Sequence, residues 1–176
     1  TDKKPAKAEA KKEKAPKPAA KKAATADADQ PEITKLDIRV GRIVKVWKHE
    51  SADKLYCEEI DVGEDAPRQI ASGLPRNLQG FKSHGMVMCA AIPIEGGKEK
   101  VAFVDPPADA AIGERIIFDG LSGEPFTPAQ VEKKKVLVNL GDNMKTNADG
   151  VATWKGHAFL TSAGACTAPV ANAVIR

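Results

Sequence analysis

The sequence predicts a mainly β protein, a small barrel or sandwich entered through a basic tail. From Pro31 onward the apolar residues fall in short alternating runs closed by glycine turns, and residues 31–118 hold no useful stretch of 3.6-residue period. Residues 1–30, by contrast, hold ten alanines, three prolines and no aliphatic or aromatic side chain larger than Ala.

The elements follow in order. Residues 1–30 carry nine lysines against five acids and too little apolar surface to offset ordering entropy, so a disordered basic linker is expected there. Leu36 to Val40 alternates, Gly41 interrupts, and Ile43, Val44 and Val46 continue, which reads as a strand with a bulge at the glycine. Leu55 to Val62 is a second strand closed by Gly63, and Arg68 to Ala71 a short third. Met86 to Ile92 is a longer apolar strand bounded by Glu95-Gly96-Gly97; Val101 to Val104 and Arg115 to Phe118 follow. A second unit starts near Asp119. In it Val151 to Trp154 and Ala158 to Thr161 flank Lys155-Gly156-His157 as a hairpin, and Pro169 to Arg176 reads as a closing extended segment. The domain reading is therefore a 1–30 linker, a 31–118 barrel and a 119–176 β-rich module packed on the barrel.

Several function classes find no support. The 176 residues contain no run of 18 apolar positions, no apolar run behind a basic start, and none of the phosphate-loop, dinucleotide, zinc-protease or nucleophile-elbow motifs. Cys57, Cys89 and Cys166 form no C-x-x-C pair and are odd in number, which predicts core thiols in a reducing, cytoplasmic setting. His49, His84 and His157 lack ligand spacing, so no metal and no cofactor are expected.

Charge points elsewhere. The formal net charge of +3 divides into a strongly basic tail and a body of 18 basic and 19 acidic groups. Arg39, Arg42, Lys45 and Lys48 recur every three residues, with Lys54 beyond the loop. On a plain strand that spacing alternates faces; a bulge at Gly41 brings Arg39 and Arg42 to one side, giving a basic track of the kind small barrels offer to nucleic acid. Trp47 and Tyr56 are candidate base-stacking rings. The alternative is a solvated face balanced by Asp37, Glu50 and Asp53.

The run from Leu36 through Ile43, then Lys48-His49, Ala52-Asp53, Leu55-Tyr56, Glu58 and Ile60 to Gly63, resembles a known tRNA-binding domain. It is the domain shared by the endothelial monocyte-activating polypeptide precursor, the yeast synthetase cofactor and the C-terminal appendages of methionyl- and tyrosyl-tRNA synthetases. The likeness continues through Ser72-Gly73-Leu74, Ser83, Gly85-Met86, Pro106-Pro107, Gly123-Glu124-Pro125, Lys133 to Lys135 and Trp154-Lys155-Gly156. It implies an oligonucleotide-binding (OB) fold with a C-terminal module that mimics a second subunit, hence a monomer of pseudo-dimer architecture. It also implies a noncatalytic, largely sequence-nonspecific tRNA-binding role, with tRNA and aminoacyl-tRNA synthetases as partners and no membrane. Arg39, Arg42, Ser83 and Met86 are the contacts carried over; Lys54, Arg76 and Lys82 join them on charge and location.

One departure stands out. Only eleven residues separate Leu74 from Met86, where family members carry roughly twenty more, about one helix and one strand. That deficit predicts a barrel lacking one strand, with two edges unpaired. Two rival readings accompany the tRNA-binding cofactor: the appendage of a methionyl- or tyrosyl-tRNA synthetase whose catalytic domain lies upstream of Thr1, and a cytokine-like secreted fragment.

Overall fold

The computed structural model describes residues 29–50, 55–72, 81 and 83–176. The expected linker lies outside the described residues except for its last two positions. The chain enters on a single 3-10 turn, Glu32–Lys35, which buries Ile33, Thr34 and Lys35. The Thr34 hydroxyl donates to the Pro31 carbonyl at 2.8 Å, and the Gln30 amide donates to Thr34 Oγ1 at 3.1 Å and to the Glu124 carbonyl at 2.8 Å. Lys35, rarely a buried residue type, keeps its charge matched by Glu32 at 2.5 Å.

Residues 38–40 then run antiparallel to 114–116, with Val40 N donating to the Glu114 carbonyl and Ile116 N to the Ile38 carbonyl, both at 2.8 Å. At Gly41 the chain passes under β2: a β-carbon there would stand 2.7 Å from a methyl of Ile60, so only glycine fits. Beyond it, β1 (Arg42–Lys48), β2 (Tyr56–Asp61) and β3 (Arg68–Ser72) form an antiparallel meander ordered β1-β2-β3.

The second sheet is larger. Its strands are β4 (Cys89–Ile94), β5 (Lys98–Phe103), β6 (Ile117–Phe118), β7 (Met144–Thr146), β8 (Ala152–Trp154), β9 (His157–Thr161), β10 (Gly164–Ala165) and β11 (Val174–Ile175). They are ordered β10-β9-β8-β7-β11-β4-β5, with β6 also on β9. The β8–β9 hairpin expected at Lys155-Gly156 is present, and both turn residues have positive φ (51° and 90°), as a two-residue hairpin turn demands. The closing segment supplies β11, inserted between β4 and β7.

Two details differ from the sequence reading. The strand expected from Met86 begins at Cys89. The C-terminal module also carries two short helices, α1 (Pro128–Lys133) and α2 (Val136–Leu140). The first is set by a capping box, in which the Thr127 hydroxyl accepts from Gln130 N while the Gln130 side chain accepts from Thr127 N.

The fold is thus mainly β, an OB-like half-barrel joined to a second sheet, and the packing is unequal between the two. One large core joins Ile33, Val40 and Phe118 to Leu140, Trp154, Phe159 and Ile175, so it crosses the 118/119 division. The β1–β3 meander has its own small cluster of Ile60, Val62 and Ile70, with Val87 against them, and Leu55 and Cys57 are buried outside either cluster. Between the two sheets lies a cleft of about 250 Å³, lined by side chains that include Ile43, Ile60, Ile70, Met86 and Phe103.

Candidate nucleic-acid interface

The register of β1 on β2 decides where each cation goes. Arg42 lies opposite Asp61 and Ile43 opposite Ile60, but the next pair is Lys45 with Glu59, so the bulge falls between Ile43 and Lys45. Directly paired residues share a face and neighbours along a strand alternate. Ile43, Ile60 and Ile70 therefore face the cleft, while Arg42, Lys45 and Trp47 share the outer face with Asp61, Glu59 and Cys57. The extra residue aligns Arg42 with Lys45, three apart, which a regular strand would have set on opposite faces.

That geometry corrects the bulge expected at Gly41, which is a point of close approach instead. Arg39 lines the cleft and is held by carboxylates. Its guanidinium donates to both oxygens of Asp37 at 3.1 and 3.0 Å, and Glu64 lies 3.7 Å away. Arg39 and Arg42 therefore do not form one track; Arg42 and Lys45 do. Lys45 belongs to the recurring cations of the sequence but not to the contacts expected from it, because its face depends on register. Its ammonium lies 5.1 Å from the centroid of Trp47, whose ring meets Phe81 edge-on.

The remaining candidates divide. The Ser83 hydroxyl is engaged internally, accepting from Ala71 N at 3.1 Å and donating to the Gly85 carbonyl at 2.9 Å. Together with His84 N on the Gln69 carbonyl at 2.8 Å, it ties residues 83–85 along the outer edge of β3. Met86 is exposed at the cleft. Lys54, Arg76 and Lys82 lie outside the described residues, and Tyr56 is half exposed opposite Lys48.

Among the described residues the titratable groups with shifted values are held by local partners or by burial. The Arg68 guanidinium, donating to Glu64, holds that carboxyl below its ordinary range. Burial pushes up the thiols of Cys57 and Cys89, and that of Cys166 to about 11, so all three are protonated and weakly nucleophilic at neutral pH. Among the described residues no group of His, Cys, Asp and Glu has the geometry to hold a metal, and no helix is long and apolar enough to cross a membrane.

Residues 38–76 match the family described as "Putative tRNA binding domain". The chain is 39% identical to the Aminoacyl tRNA synthase complex-interacting multifunctional protein 1 of Cricetulus griseus over 177 residues, covering 88% of this chain and 48% of that protein. It is 42% identical to a probable methionine–tRNA ligase of Oryza sativa subsp. japonica over 155 residues (76% of this chain, 19% of the ligase). It is 38% identical to the cytoplasmic tyrosine–tRNA ligase of Danio rerio over 165 residues (81% and 31%). The chain thus spans about half of the first protein and a fifth to a third of the ligases. The solved C-terminal domain of Plasmodium vivax p43 superposes with a TM-score of 0.68 at 30% identity, covering 82% of this chain and 98% of that one.

The alignment lengths also measure the deficit. In the Cricetulus griseus protein, 177 aligned positions face 88% of 176 residues, about 155, which leaves about 22 without a counterpart here. The rice and zebrafish ligases give about 21 and 22 by the same comparison. A strand-bearing outer face with aligned cations, a matching domain model and relatives across the length of the second sheet lead to one conclusion: this chain belongs to the tRNA-binding domain family shared by synthetase-associated proteins and synthetase C-terminal regions.

Proposed function

We propose that this chain is a noncatalytic tRNA-binding module of the cytoplasm that holds tRNA for aminoacyl-tRNA synthetases. The observation that carries the reading is the bulge in β1, which aligns Arg42 and Lys45 on the outer face beside Trp47. Two cations so placed suit the sugar–phosphate edge of a folded RNA, where contact is made by charge and shape more than by base readout. Met86, exposed at the cleft, offers an apolar rest for an unstacked base. Ser83 serves by fixing the 83–85 segment. Arg39 contributes less than its sequence position suggests, because Asp37 and Glu64 already neutralise it. Lys54, Arg76 and Lys82 enter on charge alone. The molecule works as a monomer, its C-terminal module standing where a second subunit would.

Binding of unfractionated tRNA between 50 and 200 mM salt tests the proposal. Affinity should fall steeply across that range, and Arg42→Ala with Lys45→Ala should lower the log–log salt slope by about 1.5, at 0.7 to 0.9 per lost phosphate contact. Arg39→Ala should change the slope by less than either. Salt-independent binding, or a double variant with an unchanged slope, overturns the reading.

Residence in cis on a longer ligase is a second reading, favoured by the alignments to methionine– and tyrosine–tRNA ligases. The same surface then raises the local concentration of tRNA at an attached catalytic domain. Transcript sequence reaching upstream of Thr1 separates the two.

A further inference from the structure

Among the described residues the edge of β1 in the half-barrel and the edge of β5 in the second sheet carry no strand partner, and they differ in kind. The edge of β5 carries Lys98, Glu99 and Lys100, with Glu99 also ion-paired to Arg176, the charged pattern that blocks strand addition. The edge of β1 is bonded to β2 on one side only, and its Val44 and Val46 are 51% and 53% exposed. Val46 lies opposite Glu58, on the same face as Ile60 and Ile70, so it points to the half-barrel interior, and among the described residues no strand lies over it. An exposed aliphatic on an inward face indicates an absent neighbour.

The size of that neighbour is already measured. Relatives carry about 22 residues more than this chain, and the family match stops at residue 76, four positions past the end of β3. A helix and a strand account for that length by ordinary element sizes. We propose that the edge of β1, with the adjoining cleft, is an acceptor slot for one extended strand from another polypeptide. Its occupant is the strand-bearing segment of about 22 residues that the relatives carry in cis and this chain lacks. Backbone hydrogen bonds along β1 give the affinity, and aliphatic side chains at alternate positions, entering over Ile43 and Val46, give the register.

A second copy of this chain is a poorer occupant. Antiparallel self-pairing of β1 centred on Lys45 sets Arg42 of one copy against Lys48 of the other, like charge against like.

The probe is a synthetic peptide of the residues that the Cricetulus griseus protein carries between its counterparts of Leu74 and Met86, where this chain has eleven. It is titrated into the ¹⁵N-labelled full chain with amide shifts and hydrogen exchange as readouts. The expected result is saturable binding, with the largest shifts at residues 43–48 and exchange at those amides slowed at least tenfold. Val46→Lys, at an exposed site where the fold tolerates it, should weaken binding at least tenfold. A chain with the same segment grafted between Leu74 and Pro75 should no longer bind the free peptide. No binding, equal binding of a scrambled peptide, shifts confined elsewhere, or undiminished binding by the grafted chain each overturns the proposal. So does concentration-dependent dimerisation that Val46→Lys abolishes while the peptide has no effect, which would assign the slot to a second copy. None of these outcomes depends on tRNA affinity.

Discussion

Glu114 is the residue on which the two halves of the chain meet most directly. Its carboxylate accepts from Ser162 N at 2.5 Å and from the Ser162 hydroxyl at 3.1 Å, and its carbonyl accepts from Val40 N. The Ser162 backbone bond is the largest influence holding its carboxyl below the ordinary value of 4.5. The folded state therefore gives up this negative charge at lower pH than the unfolded chain does. The stabilisation is present in full above pH 4.5 and is lost as pH falls through the lowered value. Glu114→Gln should lower the melting temperature at pH 7 and narrow the difference from the parent as pH drops below 4.5, read by thermal melts at stepped pH. A constant difference across that range would count against the assignment. Arg39 teaches the same lesson for binding: its nearest carboxylate lies two positions away in sequence, yet the Glu64 contact appears only when the 38–40 segment and the β2–β3 turn come together.

Among the elements, α1 shows how much a local pattern decides. Thr127-Pro128-Ala129-Gln130 combines a capping threonine, proline in the first turn and a glutamine three residues on, and the six-residue helix starts there. None of its residues is buried, so its stability leans on that cap. Thr127→Ala should cost about 1 kcal/mol, read as a lowered urea midpoint with an unchanged slope, while leaving tRNA affinity untouched. The sequence signal for this helix was present and short; a six-residue element offers no full apolar period to detect. The β8–β9 hairpin was legible because a two-residue turn needs positive φ at both positions, and Lys155-Gly156 supplies it. The bulge in β1 was legible in kind but not in place: a glycine inside an alternating run marks either an extra residue or a close approach, and the distance to Ile60 decides between them.

For the whole molecule, the large core crosses the boundary that composition suggests. Ile33 and Val40 at the chain entry pack with Leu140, Trp154 and Phe159, while β11 pairs with β4 and β9 with β6. Residues 31–118 alone would lose ten of that core's sixteen buried residues, uncover the other six, and keep the Ile60, Val62 and Ile70 cluster. The small cluster and the uncovered remnant of the large core, at about 1.5 to 3 kcal/mol for each side chain still fully buried, cannot offset the ordering of some 90 residues. A chain ending at Phe118 should therefore show no cooperative thermal transition by circular dichroism, whereas the full chain shows one. A sharp melt for the shorter chain would mean that the half-barrel is an independent folding unit.

By itself the sequence determined the β character, most strand positions, the absence of familiar catalytic motifs and the family, because alternation, turn glycines and ordered motifs are local properties of the chain. Even the shortened stretch after Leu74 could be read there, since a deficit is a matter of counting. The tertiary structure decided which cations share a face, which are neutralised and which strand edges stay open among the described residues. Those depend on register, and register is set by partners distant in sequence: Glu59 and Asp61 for the β1 cations, Glu64 for Arg39, Glu58 across from Val46.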